Sequence, residues 1–472
     1  MAKLTRTALA LAIALAAPGC AMLEPRLPQA EAGIPASWPL PAEGVVPVEG
    51  APAVADVGWR EFFADPRLEQ VIALALENNR DLRVALLNVE RARAQYRIVR
   101  ADRLPALGVS GQMERVGGDI PTSEEYSVTL GVSAFELDLF GRVRNLSQAA
   151  LQQYLATEQN QRAAQLALVA QVAGSWLSLG ADQQALAIAR ETLATYEQSL
   201  ALSEKMHELG ATSALQLNQT RTLVESARAD VARYSGQVAQ GSNALNLLVG
   251  QSVDASLLPQ RLDVATSGLA ALPAGLDSQV LLRRPDISAA EHALRAANAN
   301  IGAARAAFFP SIRLTGGIGS VSNELSGLFE SGTRVWSFVP QVSIPIFQGG
   351  RLRANLGMAN AERDIALAQY EKAIQAGFRE VADALALSQT LAEQREAMER
   401  LVAAAQQAHD LSEARYNAGM DSFLTLLDAR RSLYSARQGL VAVQLAEQAN
   451  RISLYKALGG GWLENSPAVQ AP

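Results

Sequence analysis

Arg100-Ala-Asp-Arg-Leu-Pro105-Ala-Leu-Gly-Val-Ser-Gly111 recurs, 205 residues later, as Arg305-Ala-Ala-Phe-Phe-Pro310-Ser-Ile-Arg-Leu-Thr-Gly316. Each copy closes a helical pattern rich in Ala, Leu, Arg and Glu, about Pro66 to Ala101 and about Leu276 to Ala307, because the residue before a proline is pushed out of the helical region. Each copy then opens a stretch that is poor in alanine and alternates with period two. Leu107, Val109, Gly111 and Met113 alternate with Gly108, Ser110 and Gln112, and Tyr126, Val128, Leu130, Val132 and Ala134 alternate with Ser127, Thr129, Gly131 and Ser133. The second half repeats this with Ile312, Leu314, Gly316 and Ile318, then Trp336, Phe338, Val342 and Ile344. The period predicts one β-hairpin in each half, each strand having an apolar and a polar face.

Strands of about 9 to 12 residues have the length that crosses a bilayer when tilted, the alternative being a small soluble sheet. Four strands are too few to close a barrel, which takes about eight, and lipid does not tolerate open edges, so several chains must pool their strands. No stretch after the N-terminus has 18 consecutive apolar residues, and no transmembrane helix is expected.

Beyond each hairpin a helical pattern runs unbroken, about Arg142 to Glu208 and about Arg351 to Asn417, with no proline between Pro121 and Pro259 or between Pro345 and Pro467. The breaks at Leu209-Gly210-Ala211-Thr212 and Ala418-Gly419-Met420-Asp421 suit left-handed glycine caps, with Thr212 and Asp421 as N-caps of the returning helices. Val172, Leu179, Leu186, Leu193 and Leu200 recur every seven residues, as do Leu217, Val224, Val231, Val238 and Leu245 on the first return. Leu426, Leu433, Leu440 and Leu454 keep that beat on the second, interrupted by Glu447. A seven-residue repeat predicts an antiparallel coiled-coil hairpin in each half.

At the N-terminus Lys3 and Arg6 precede an apolar stretch, Ala8 to Ala17, that reads as a signal peptide over 1–19. Ala17-Pro18-Gly19-Cys20 resembles a lipoprotein cleavage site, although Leu is absent three residues before the cysteine and Pro stands two before it. Cys20 is therefore expected to carry a lipid anchor, the alternative being ordinary cleavage nearby. Eight of the 19 prolines fall between Pro18 and Pro52, so residues 20–58 read as an extended leash or wrap. The remaining organisation is repeat 1 over 59–251 with a hairpin at 105–138 and long helices at 142–250, a linker at 252–275, repeat 2 over 276–461 with a hairpin at 310–346 and long helices at 351–459, and a tail at 462–472.

The chain has 472 residues and a net charge of -6, which gives no basic footprint for nucleic acid. One cysteine and three dispersed histidines exclude internal disulfides and Cys/His metal cages. Gly316-Gly317-Ile318-Gly319 lies in a strand pattern without the lysine of a phosphate loop, and no cleft-like pair of carboxylates stands out, so no enzyme activity and no cofactor are expected.

Further stretches carry a family resemblance: Trp59-Arg-Glu-Phe-Phe-Ala-Asp65, Leu282-Arg-Arg-Pro-Asp286, Phe309-Pro-Ser-Ile312, Ile344-Pro-Ile-Phe-Gln-Gly-Gly-Arg351, Arg415-Tyr-Asn-Ala-Gly-Met-Asp-Ser-Phe-Leu-Thr-Leu-Leu-Asp-Ala429 and Tyr455-Lys-Ala-Leu-Gly-Gly-Gly-Trp462. Over nearly the whole mature chain the sequence resembles the TolC-like outer membrane efflux proteins, and more closely their OprM branch. The resemblance implies a mixed α and β fold in which a homotrimer pools four strands per chain into a 12-stranded transmembrane β-barrel, continued by a long α-helical coiled-coil barrel in the periplasm. It implies a passive outer membrane channel of a tripartite efflux system that exports small toxic compounds, served by a periplasmic adaptor and an inner-membrane pump of the RND type. The adaptor would dock on the helix turns at Gly210, Ala211, Gly419 and Met420. Leu424 and Asp428 match the positions that pinch the periplasmic aperture, and Tyr416, Arg431 and Asp182 match contacts that hold the coils closed. Where Thr425 and Asp428 stand, the first half has Gln216 and Gln219, so the two hairpins differ in charge. A type I protein-secretion outlet shares this fold, and a coiled-coil periplasmic adaptor would explain the helices alone.

Overall fold

The structure, a computed structural model, describes residues 23–38, 54–263 and 277–466. The signal peptide, Cys20 and the second half of the 252–275 linker lie outside the described residues. In chain order the elements are α1 (Trp59–Phe62), α2 (Pro66–Asn78), α3 (Arg80–Ala101), β1 (Leu107–Val116), β2 (Ser123–Leu137), α4 (Arg142–Glu208), α5 (Ala214–Val249), α6 (Pro285–Ala306), β3 (Ser311–Ser322), β4 (Arg334–Ser343), α7 (Arg351–Asn417) and α8 (Phe423–Ala457), with short 3-10 turns between some of them. They divide into two compact units. One holds Leu87–Gln159 and Ser288–Lys372, with the segment before Ala32, and the other holds Ala32–Leu86, Asn160–Ile287 and Ala373 onward.

In the first unit the strands form one antiparallel sheet in the order β1-β2-β3-β4, so among the described residues β1 and β4 pair on one side only. The register places Leu107 opposite Val132, Val109 opposite Leu130, Leu130 opposite Ile318 and Ile318 opposite Trp336. Residues opposite each other share a face, so these side chains form a continuous apolar surface. That surface is open: Val109 is 71% exposed, Ile318 62%, Trp336 75% and Phe338 62%.

The period-two reading fails at one point. Between Val132 and Phe135 the register slips, and Ala134 takes a left-handed φ of 52° while its amide donates to Thr315 Oγ1 at 3.0 Å. This bulge adds one residue to β2, so Phe135 and Leu137, not Ala134, continue the apolar face opposite Leu314 and Ile312. The glycines of the 316–319 stretch also find their reason here. A Cβ on Gly319 would stand 2.1 Å from the Val128 carbonyl oxygen, so β2 and β3 approach too closely for any side chain. Ile344, read as a strand residue, falls beyond β4.

In the second unit α1, α2, α4, α5 and α8 close around Trp59, Phe62, Phe63, Leu68, Ile72, Trp176, Leu177, Leu245, Val249 and Tyr455. Phe62 stacks on Tyr455 at 3.9 Å between ring centroids, and Tyr455 Oη donates to the Val57 carbonyl at 2.6 Å. Each large apolar side chain so buried contributes about 1.5–3 kcal/mol. By length and composition one stretch of α4 is apolar enough to cross a membrane, contrary to the expectation from apolar runs, but half of it is buried inside the fold.

Three other sequence readings change. The helix expected from Pro66 to Ala101 breaks at Asn79, whose extended backbone ends α2 and starts α3. Asn79 Oδ1 accepts from the Leu82 amide and its Nδ2 donates to the Leu248 carbonyl, both at 2.8 Å, so one side chain caps one helix and ties it to α5. The helix expected from Leu276 starts only at Pro285, because Arg284 before the proline is extended. The interruption of the heptads at Glu447 is a buried carboxylate, 3.0 Å from Arg395 Nε and 2.8 Å from Arg451 Nη2.

The proline-rich segment is a wrap over its described part. In the first unit Arg305 donates to the Leu23 carbonyl at 3.2 Å and Asn298 to that of Pro25 at 2.8 Å. In the second, Trp38 stacks on Phe378 and donates Nε1–H to the Phe378 carbonyl at 3.0 Å.

Candidate functional site

The candidate site is the pair of helix turns in the second unit. Gly210 and Gly419 have φ of 71° and 72°, the left-handed cap conformation that a Cβ disfavours. The amides after them reach back five residues, Ala211 to the Met206 carbonyl at 2.7 Å and Met420 to that of Arg415 at 2.9 Å, which closes a Schellman motif at each turn. The N-caps, however, are Ser213 and Ser422, not Thr212 and Asp421. Each serine is extended and its Oγ accepts from the third amide of the new helix, that of Gln216 or Thr425. Asp421 is engaged elsewhere: Arg415 donates to both its carboxylate oxygens, at 2.7 and 2.9 Å. Through that hydrogen bond Arg415 holds the Asp421 carboxyl below its ordinary value. The first turn has Met206 and Thr212 at the corresponding places and no such clamp.

Below the turns, Tyr196 of α4, Leu223, Val224 and Ala227 of α5, and Phe423 and Leu427 of α8 form a small core, with Leu193, Leu200 and Tyr416 packed on it. Tyr416 lies 5.6 Å from Phe423 between ring centroids, which joins the end of α7 to the first turn of α8. The inward face of α8 thus runs through Phe423, Leu426, Leu427, Arg430 and Leu433. Leu424, Asp428 and Arg431 fall at i, i+4 and i+7 on a different stripe, and all three are exposed, Leu424 by 62%. Leu209 at 83% and Met420 at 63% are bare apolar side chains at the turns themselves.

Leu424, Asp428 and Arg431 are therefore brought together on one exposed face, and Tyr416 packs beneath it. Asp182 is not with them. The α4 residue at the level of Arg430 is Ser199, so Asp182 stands about 25 Å further along that helix at 1.5 Å per residue. It lies beside Gly241 of α5, and burial raises its carboxyl above the ordinary value.

Arg430 is the residue that the sequence reading passed over. Its side chain is 9% exposed, its guanidinium donating to Ser199 Oγ at 2.7 Å and to Glu413 at 2.9 Å, so it ties α8 to both α4 and α7. Its spacing of four from Leu426 and three from Leu427 would have put it on the packed face. Arg437 extends the same seam to Glu191 at 3.2 Å and Gln406 at 2.8 Å.

A sheet with one exposed apolar face and two open edges, in a chain that otherwise consists of coiled-coil hairpins, marks an outer membrane channel protein. The chain belongs to the outer membrane efflux protein family, whose model matches residues 71–251 and 276–460. It is 47% identical to the toluene efflux pump outer membrane protein TtgC of Pseudomonas putida, with 98% of this chain and 97% of the relative covered. The cation efflux system protein CusC of Escherichia coli O157:H7 is also 47% identical, over 95% of this chain and 97% of the relative. Among solved structures, the open-state MtrE outer membrane channel of Neisseria gonorrhoeae superposes with a TM-score of 0.86 at 41% identity, covering 94% of this chain and 99% of that one. The protein is an outer membrane component of an efflux system.

Proposed function

We propose that three copies of this chain pool their sheets into a 12-stranded barrel and their helical hairpins into a periplasmic tube, which conducts small toxic compounds outward without fuel of its own. The observation that supports this reading is the sheet, whose apolar face is exposed and whose β1 and β4 lack outer partners. Open strand edges are costly in lipid, and joining the β4 edge of one copy to the β1 edge of the next removes them all. Cys20 carries the lipid that anchors the N-terminus to the outer membrane.

Because a passive tube supplies no energy, an inner-membrane pump of the RND type drives export through a periplasmic adaptor. The adaptor docks on the turns at Gly210, Ala211, Gly419 and Met420, where Leu209 and Met420 offer apolar contact. Leu424 and Asp428 line the aperture, in which a ring of Leu424 resists wetting and a ring of Asp428 collects cations. Arg431, three residues on, moderates that ring, and Tyr416 holds the second turn closed from beneath. Asp182, further along α4, braces the first coil.

Purified in detergent, the protein is expected to be a trimer. A stable monomer that keeps its β-sheet by circular dichroism sinks the proposal. Deleting the gene is expected to raise susceptibility to small toxic compounds and leave the secreted proteins unchanged, whereas the reverse pattern assigns the chain to protein secretion.

A further inference from the structure

Seven arginines lie between Arg80 and Arg103. Three of them, Arg97, Arg100 and Arg103, line a surface recess of about 450 Å³ with Ala101 and Leu104. All three are exposed, and among the described residues none has an ion pair or a side-chain hydrogen bond. The acidic residue between them, Asp102, adds its field to Arg142. The recess is thus a concentration of positive charge without an ion-pair partner among the described residues.

The scaffold does not require it. At the corresponding places of the second repeat stand Gly302, Arg305 and Phe308, and Arg305 is occupied by the Leu23 carbonyl. Phe309, which corresponds to Leu104, stacks on Phe140 at 4.7 Å between ring centroids. One repeat therefore closes this corner with aromatic packing and a strap, while the other leaves three guanidiniums bare. Leu104 is 71% exposed and Leu107, the first residue of β1, 70%, so the recess adjoins the start of the apolar sheet face.

We propose that Arg97, Arg100 and Arg103 bind the phosphate of an anionic phospholipid headgroup, with the acyl chains laid along Leu104 and Leu107. Charge complementarity selects the headgroup, since guanidinium forks match phosphate oxygens, and the adjoining apolar side chains select a lipid over a free ion. The proposal rests on the reading of the sheet as the membrane face. Each guanidinium contributes about fivefold in affinity for an anionic surface, and three together roughly a hundredfold.

The test is native mass spectrometry of the detergent-purified protein titrated with phosphatidylglycerol, phosphatidylcholine or inorganic phosphate. The wild type is expected to retain phosphatidylglycerol in preference to phosphatidylcholine, and phosphate is expected not to displace it. The triple variant Arg97→Gln/Arg100→Gln/Arg103→Gln loses that retention, while Arg91→Gln, an exposed arginine of the same helix outside the recess, keeps it. Should the triple variant fail to fold, the single variant Arg100→Gln is expected to lose about fivefold. Unchanged retention in the variants overturns the proposal. So does displacement by inorganic phosphate, which assigns the recess to a free ion, and so does loss of the oligomer without loss of lipid, which assigns it to a contact between copies. Oligomeric state and membrane insertion are scored on the same samples, so failure of the channel reading shows in the wild type and failure of this proposal only in the variants.

Discussion

Tyr434 Oη donates to Asp230 Oδ2 at 2.9 Å, and four residues further along both helices Tyr234 Oη donates to Gln438 Oε1 at 3.1 Å. The two bonds run in opposite directions between α5 and α8, so each hairpin supplies one donor and one acceptor. Burial, reinforced by Asp230, raises the Tyr434 hydroxyl well above its ordinary value, which keeps it a donor at any pH the cell meets. With Arg430 and Arg437, this pair forms the seam between the two hairpins.

Tyr434→Phe is expected to loosen that seam. Asp230 keeps Arg233 at 2.7 Å, so no charge is orphaned and the cost is about 1 kcal/mol, as for an ordinary hydrogen bond. Planar-bilayer recordings should show more frequent openings for Tyr434→Phe, and more again when Tyr234→Phe is added. Wild-type gating in the double variant would show that the seam does not restrain the coils.

At the proposed aperture, Leu424→Ala is expected to raise conductance by removing an apolar constriction, and Asp428→Ala to lower cation preference by removing one charge per copy. Arg431→Gln should act oppositely to Asp428→Ala, because it shares the exposed stripe and carries the other sign. Gln216→Ala and Gln219→Ala serve as controls with little effect on selectivity. If Leu424→Ala and Asp428→Ala conduct and select as the wild type does while still inserting, the constriction lies elsewhere.

The Arg415–Asp421 clamp predicts a pH response of the second turn alone. The folded carboxyl lies below its unfolded value, so its stabilisation is complete above the unfolded value and is lost as pH falls through the folded one. The protection of the amides around Met420, taken against their intrinsic exchange rate at each pH, is therefore expected to fall on acidification below the ordinary carboxylate range. Asp421→Asn should show the lower protection at every pH, and the Gly210 turn, with Thr212 in place of the aspartate, should not respond. A parallel response at both turns would rule the clamp out as the cause.

Glu447 is 8% exposed between Arg395 and Arg451. Glu447→Ala takes a partner from Arg451 and leaves Arg395 with Glu399 alone, and a loss of about 1–3 kcal/mol is expected in denaturant unfolding. Glu447→Leu, which restores the heptad, should cost less. Equal losses would mean that the charge Glu447 supplies to the two arginines matters more than the space it fills.

Much of this protein is written in local pattern. The two hairpins follow from alternation at Leu107–Met113 and Ile312–Ile318, and the long helices from proline-free heptads, because both periodicities depend only on which face of an element meets an apolar surface. The glycines at 210 and 419 announce their turns since few other residues adopt a left-handed φ. What the sequence concealed depends on neighbours distant in the chain. The bulge at Ala134 exists because Leu314 and Ile312 must meet Phe135 and Leu137 across a strand pair. Asn79 breaks a helix because the Leu248 carbonyl waits for its amide. Glu447 is tolerated in a heptad because Arg395 arrives from another helix, and Arg430 became the inter-helix tie instead of Arg431 because only one of them faces Ser199. Periodicity names the face, but the partner on that face is chosen by packing between segments distant in the chain.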